Sequence, residues 1–191
     1  LTVLTLFLTF DLVMFGAFTR LTDSGLGCPD WPGCYRNASP LGARTEISAA
    51  QEAMPTGPVT HGKAWVEMIH RYLATGVGVL IIVLTVAAWR ERRLRARDAA
   101  HARQSAEPIS PWWPTVTLAW VCLQGAFGAW TVTMKLFPAI VTLHLIGGLV
   151  LLALLCVHAG RPSQAVRGVW PAVLARPLSQ GDVSWTRLTR P

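Results

Sequence analysis

The stretch that decides the fold is residues 63–89, KAWVEMIHRYLATGVGVLIIVLTVAAW. About 20 predominantly apolar residues cross a bilayer as one helix, so this run predicts a membrane-spanning helix. It also contains Glu67, His70 and Arg71 within five residues. Ionisable side chains inside a membrane span are costly unless they are paired or ligated. These three residues are therefore candidates for a functional site.

Three further segments are apolar enough to span a membrane. With residues 63–90 they predict an all-α protein, a transmembrane four-helix bundle; they are residues 1–19, 112–133 and 138–159. A hydrophobic content of 52% in 191 residues excludes an ordinary soluble domain. Residue 1 already lies in an apolar run, so we expect the native N-terminus to lie upstream. The first segment lacks the basic start and the cleavage site of a signal peptide.

The basic residues predict how the helices are oriented. The net charge is +7, and arginines crowd the link 91–111 and the tail 160–191. Because positive charge favours the cytoplasmic side, we expect both segments, and the N-terminus, to be cytoplasmic. The long loop 20–62 and the turn 134–137 then lie outside the cytoplasm, in a multi-pass protein of a bacterial-type plasma (inner) membrane. Since these charges flank helix ends, the pattern argues against binding of nucleic acid.

The four cysteines fall into two groups. Cys28 and Cys34 lie in the loop sequence CPDWPGC, where an oxidising compartment permits a disulfide. Zinc is the weaker interpretation of this pair, because no second pair of ligands lies nearby. Cys122 and Cys156 lie inside apolar segments, and we expect them to be buried packing residues.

Two histidines are predicted to lie at one depth in the membrane. His70 lies roughly 10 Å below the outer end of its helix, and His144 about 9 Å below the start of the fourth helix. Facing imidazoles at one level of a helical bundle suit a six-coordinate haem iron. Small residues beside them, such as Gly128 and Gly147, leave room for a flat macrocycle, although small residues also simply allow close helix packing.

Glu67 lies one helical turn outward from His70, on the same helix face. One interpretation is that it orients an imidazole by accepting its N–H. The other is catalytic, with the carboxyl held over the edge of a bound porphyrin. Arg71 and Arg20 are candidate contacts for haem propionates, and Arg71 could instead pair with Glu67 or Asp11. The pattern predicts no role for Asp11.

The remaining histidines are weaker candidates. His158 lies fourteen residues after His144, but the matching position after His70 is Leu84, so a second haem would lack its opposite ligand. We therefore expect His158 to be an interfacial residue. His61 and His101 are expected to be solvated.

Three motifs together resemble the haem A synthase (CtaA/Cox15) family. They are TRLTDSGLGCPDWPGC (19–34), WVEMIHRYLA (65–74) and QGAFGAWTVTMKLFPAIVTLHLIGG (124–148). The resemblance implies a membrane oxidoreductase that oxidises the C8 methyl of haem O to a formyl, giving haem A for terminal oxidases. It also implies that haem O synthase is a partner.

The resemblance assigns roles to particular residues. It implies that His70 and His144 flank the substrate haem as iron ligands, that Glu67 is functionally important, and that Cys28 and Cys34 form a disulfide that assists redox transfer. Family members have two similar four-helix halves, and this chain matches the first. The haem B of the second half would come from that half or from a partner copy in a homo-oligomer, and the electron donor is unidentified.

Three alternatives stay open. A b-type haem electron carrier with two histidine ligands explains His70 and His144 but gives Glu67 and the CPDWPGC loop no task. A membrane thiol–disulfide protein explains the cysteines but leaves the histidines without one. A purely structural membrane subunit is the third alternative.

Overall fold

The computed structural model describes residues 1–97 and 110–160, and within them the chain is all-helical. Five helices occur in these residues: α1 (Thr2–Leu21), α2 (Arg44–Ala53), α3 (His61–Arg97), α4 (Trp112–Thr133) and α5 (Pro138–Gly160). Part of the predicted link 91–111, with His101, and nearly all of the tail 160–191 lie outside the described residues.

Four of the helices are long and apolar enough to cross a membrane: α1, α3, α4 and α5. The predicted fold class, an all-α protein with four such helices, is therefore confirmed. The third helix in the chain, α3, does not end with the apolar run but continues through Arg97. Arginine is a good helix former, and Arg95 pairs with Glu91 one turn earlier at 2.5 Å, so the basic residues extend the helix.

Helix α3 is the centre of the bundle. Helices α1 and α4 pack closely against its backbone, and α2 packs against it as well. Helix α5 joins the bundle through its side chains, since Leu151 and Leu155 are buried against Val77 and Ile81 of α3. The backbone of α5 lies farther from that of α3 than the backbones of α1 and α4 do. Side chains therefore fill the space between α3 and α5.

Helices α4 and α5 are antiparallel neighbours joined by residues 134–137. Lys135 and Leu136 both have positive φ, at 50° and 59°. Two left-handed residues in succession reverse the chain sharply. The amide N–H of Leu136 donates to the carbonyl of Thr131 at 2.7 Å and so closes the end of α4.

Residues 22–60, which we call the loop domain, fold into a compact layer over the first turns of α3. Their buried core is shared with Ala64 and Met68 of α3 and consists of Cys28, Cys34, Ala43 and Ile47. Gly27 lies against the α3 backbone at Lys63, with no space for a side chain. The loop domain is thus fixed to the same helix that carries Glu67 and His70.

The expectation that Cys122 and Cys156 are buried packing residues is wrong, because both thiols are exposed on the surface of the bundle. Large apolar side chains such as Phe7, Val79 and Leu145 are exposed there too. In a membrane this surface contacts lipid, which accepts a thiol as readily as it accepts an aliphatic side chain.

Candidate functional site

His70 on α3 points toward α1, inside the bundle. Its ring lies nearly parallel to the ring of Phe15, with centroids 6.4 Å apart and planes at 12°. A Cβ atom on Gly16 would lie 2.9 Å from Cε1 of His70, so a side chain at this position of α1 would force the imidazole to shift. Nδ1 of His70 is buried and has no hydrogen-bond partner among the described residues.

His144 on α5 has a different environment, made by α4. A Cβ atom on Gly128 would lie 3.3 Å from Cε1 of His144, so a glycine again backs the ring. Nε2 of Gln124 lies 3.3 Å from Nδ1 of His144 and donates to its backbone carbonyl at 2.5 Å.

These features fit a flat group with a ligand on each side. Glycines back both rings, and Nδ1 of His70 has no hydrogen-bond partner among the described residues, which leaves that imidazole free of protein hydrogen bonds that would fix its orientation. Each of the two predicted histidines is thus half-buried against a glycine of a neighbouring helix, and the residues present fit a haem. That they ligate iron stays a prediction.

Glu67, which is only 4% exposed, is held by two donors at the boundary between α3 and the loop domain. The backbone N–H of Cys28 donates to Oε2 at 2.7 Å, and the guanidinium of Arg71 donates to Oε1. Nδ1 of His70 has no partner among the described residues, so Glu67 does not orient that imidazole through Nδ1. The catalytic role of Glu67 stays a prediction, and the geometry adds a structural one.

Arg71 fixes the loop domain to α3. Its Nη1 donates to the carbonyl oxygens of Asp30 at 2.9 Å and Pro32 at 3.2 Å, and also to that of Gly33. Nη2 carries the ion pair with Glu67, so the pairing with Glu67 is the alternative that the structure shows. Contact between Arg71 and a propionate stays a prediction, in competition with these partners.

Cys28 and Cys34 form a disulfide and are both fully buried, as predicted. No group of three His, Cys, Asp or Glu side chains that could hold a metal ion occurs in residues 1–97 or 110–160. The zinc interpretation of the cysteine pair is therefore wrong for this structure, because both sulfur atoms are consumed in the disulfide.

The ring closed by the disulfide is stabilised from within by Asp30. Tyr35 and Arg36 both have positive φ, and their successive N–H groups donate to the Asp30 carboxylate at 2.6 and 2.7 Å. Successive N–H groups of this kind form a concave anion site, which the aspartate fills. Partial burial is the main cause that raises the pKa of the Tyr35 hydroxyl above its ordinary value. The negative charges of Asp30 and Glu46 raise this pKa further.

The other candidates lie away from the histidine pair. Arg20 is exposed at the end of α1, and its contact with a propionate stays a prediction. The expectation of a solvated His61 is wrong, since its Nε2 lies 2.9 Å from Oγ of Ser48 and so links α3 to α2. Asp11 is half-buried on α1, and the structure gives it no role.

Sequence reasoning missed Gln124, Phe15 and Gly16. Gln124 could have been recognised from the sequence, because a side-chain amide within an apolar helix needs a hydrogen-bond partner. Phe15 and Gly16 carried no such signal, since an apolar helix contains many residues of both types.

The fold and the site define an integral membrane protein with a histidine pair in its helical bundle, beneath a disulfide-bonded loop domain. Its sequence matches the COX15-CtaA family, described as cytochrome oxidase assembly protein, over residues 1–184. This chain belongs to that family.

Curated relatives carry the name heme A synthase. The protein of Shewanella oneidensis is 41% identical over 152 residues, which are 80% of this chain and 42% of that protein. A Caulobacter protein is 32% identical over 78% of this chain and 38% of its own length, and one from Rhizobium etli is 31% identical over 66% and 34%. The chain thus spans less than half the length of these relatives. No solved structure matches it.

Proposed function

We propose that this chain forms the haem-binding half of a haem A synthase, in which the C8 methyl of haem O is oxidised to a formyl to give haem A. The observation that carries the proposal is that the imidazoles of His70 and His144, both half-buried, each lie against a glycine of a neighbouring helix. The name that the relatives share, heme A synthase, supports the same reaction.

In this proposal the haem is the substrate, and the protein positions it. His70 and His144 would hold the haem iron, and the oxidation of the methyl would need an external oxidant acting on the bound haem. Glu67 lies one turn from His70 toward the loop domain, where Arg71 and Cys28 fix its carboxylate. A carboxylate held in this way can stabilise positive charge that develops at the porphyrin edge.

The remaining parts of the proposal concern the assembly. The loop domain lies outside the cytoplasm and the 90–97 end of α3 lies inside, at the inner membrane. Haem O synthase delivers the substrate, and a second four-helix half or a partner copy supplies haem B. The Cys28–Cys34 disulfide would assist redox transfer by exchanging electrons with a donor that is unidentified.

The test is expression of the full chain beside a source of haem O, followed by extraction of haem and mass analysis. We expect haem O or its oxidised products to copurify with the protein. The double variant His70→Ala/His144→Ala should lose the bound haem, whereas His61→Ala, which removes a histidine outside the pair, should keep it. Retention of low-spin haem by the double variant would refute the site.

A haem electron carrier is the second candidate function. The hydrogen bond of Glu67 to Cys28 and its ion pair with Arg71 give this carboxylate a structural role that does not require catalysis. Glu67→Gln separates the two functions. A carrier would keep its haem and its redox activity in this variant. A synthase would keep its haem but accumulate substrate or a partly oxidised product.

A further inference from the structure

The hydrogen bonds around the two histidines differ, and the difference has a consequence for how each would bind iron. His144 is fixed twice by Gln124, through its ring and through its backbone carbonyl. His70 is held by packing against Phe15 and Gly16, and its Nδ1 has no partner among the described residues.

Gln124 is itself well positioned for this contact. It is 8% exposed, and its amide packs on Gly147 of α5 so closely that a Cβ atom there would overlap Oε1. One turn away on α4, Nε1 of Trp120 donates to the carbonyl of Gly147 at 2.9 Å. Several side chains of α4 thus bridge to α5, and among them it is Gln124 that reaches the imidazole of His144.

A hydrogen bond at the second ring nitrogen makes histidine a better ligand, since it sets the ring orientation and the tautomer. Ligation through Nε2 places the proton of His144 on Nδ1. In the structure Nε2 of Gln124 faces Nδ1, so Gln124 can serve that proton with its amide oxygen only after a turn about its Cγ–Cδ bond, which exchanges the donation to the His144 carbonyl for the bond to the ring. Within residues 1–97 and 110–160, no group hydrogen-bonds to Nδ1 of His70 in the same way.

We propose that Gln124 is a positioning residue for His144, which makes His144 the retained axial ligand of the haem and His70 the ligand that releases. The inference rests on the proposed haem site and goes beyond it, because it assigns unequal tasks to the two histidines. A substrate haem has to enter and leave, and a releasable ligand on one side provides for this while the other ligand keeps the haem in place.

The first test compares the single histidine variants by titrating the purified full-length protein in detergent with ferric haem b. For His70→Ala we expect retained haem with a five-coordinate, high-spin spectrum, and added imidazole should restore the low-spin spectrum. For His144→Ala we expect loss of binding at the same haem concentration. Equal loss in both variants, or retention in His144→Ala alone, would overturn the inference.

The second test concerns Gln124 itself. Gln124→Leu should raise the dissociation constant for haem about tenfold and raise the midpoint potential, because the ring of His144 becomes a weaker donor. Gln124→Glu keeps an acceptor for the Nδ1 proton. We therefore expect this variant to bind haem with a low-spin spectrum and with a midpoint potential below that of Gln124→Leu. Trp120→Phe is the matched control, since it removes a bridge between the same helices without touching the imidazole.

The outcomes separate this inference from the proposed function. If Gln124→Leu and Trp120→Phe change the haem spectrum and potential equally, Gln124 is merely structural and the inference fails while the haem site stands. If the wild-type chain binds no haem at all, the proposed function fails first, and the inference fails with it.

Discussion

The guanidinium of Arg71 joins two parts of the chain that are far apart in sequence. It pairs with Glu67 one turn away on α3 and also binds three carbonyl groups of the 28–34 ring. Both charged side chains are nearly buried, at 12% and 5% exposed. Because a planar fork of donors serves carboxylate and carbonyls at once, lysine is a poor substitute here.

We expect Arg71→Lys to lower the free energy of unfolding by about 3 kcal/mol, since one ammonium group cannot reach both sets of acceptors and leaves buried oxygens unpaired. Thermal unfolding in detergent, followed by circular dichroism, measures the change. Arg95→Lys is the control, because Arg95 forms an ion pair at the same spacing with Glu91 but both side chains are 45% exposed. Its expected effect is below about 0.5 kcal/mol, and equal effects would contradict the role of Arg71.

The sequence predicted that Glu67, His70 and Arg71 belong together, because charge in an apolar helix requires an explanation. It offered Glu67 as one of the possible partners of Arg71, but it could not predict the other acceptors of the Arg71 guanidinium. Three of its acceptors are backbone carbonyls, which every residue has, and their position depends on how the 28–34 ring folds. Gln124 escaped notice for a related reason, since its amide lies in a stretch of small and aromatic residues that also favours simple helix packing.

Helix α3 and the loop domain are held together by a backbone contact at Gly27. A Cβ atom at this position would lie 2.5 Å from the carbonyl oxygen of Lys63 and 2.6 Å from the amide nitrogen of Ala64. Backbone atoms inside a helix cannot move aside cheaply. The approach of the loop domain to α3 therefore depends on the absence of a side chain.

Gly27→Ala is expected to displace the loop domain and to cost about 2 kcal/mol of stability through overpacking. Limited proteolysis should then cut within residues 22–60 faster than in the wild type. Gly62→Ala provides the comparison, because a Cβ atom there has no neighbour within 4 Å, and alanine favours a helix. A proteolysis rate for Gly27→Ala that matches Gly62→Ala would show that the contact does not hold the loop domain.

The elements themselves were predictable to different degrees. The apolar runs predicted four membrane helices, since hydropathy reports on the lipid environment directly. The extension of α3 through Arg97 was not predictable in this way, because past the membrane a helix depends on propensity and local ion pairs. The layer formed by the loop domain depends on a disulfide and on contacts such as that of Gly27, which periodicity does not reveal.

At the scale of the whole molecule, the distribution of arginines predicts the orientation in the membrane. Thr56 in the loop domain and Arg97 at the far end of α3 are both exposed, so they suit labelling. In a background without Cys122 and Cys156, we expect Thr56→Cys to react with a membrane-impermeant maleimide in intact cells. Arg97→Cys should react only after the cells are opened, and the opposite pattern would invert the proposed topology.

The short turn at residues 134–137 has a consequence for biogenesis. All contacts of the 28–34 ring described above lie within residues 1–97, which leave the ribosome before α4 and α5. Cys28 and Cys34 can therefore be oxidised to the disulfide while His144 is still being synthesised. Arg71 can bind the carbonyl groups of the 28–34 ring at the same stage. Gln124 and His144 follow in the α4–α5 hairpin, so the hydrogen bonds between them can form only after the contacts of the 28–34 ring.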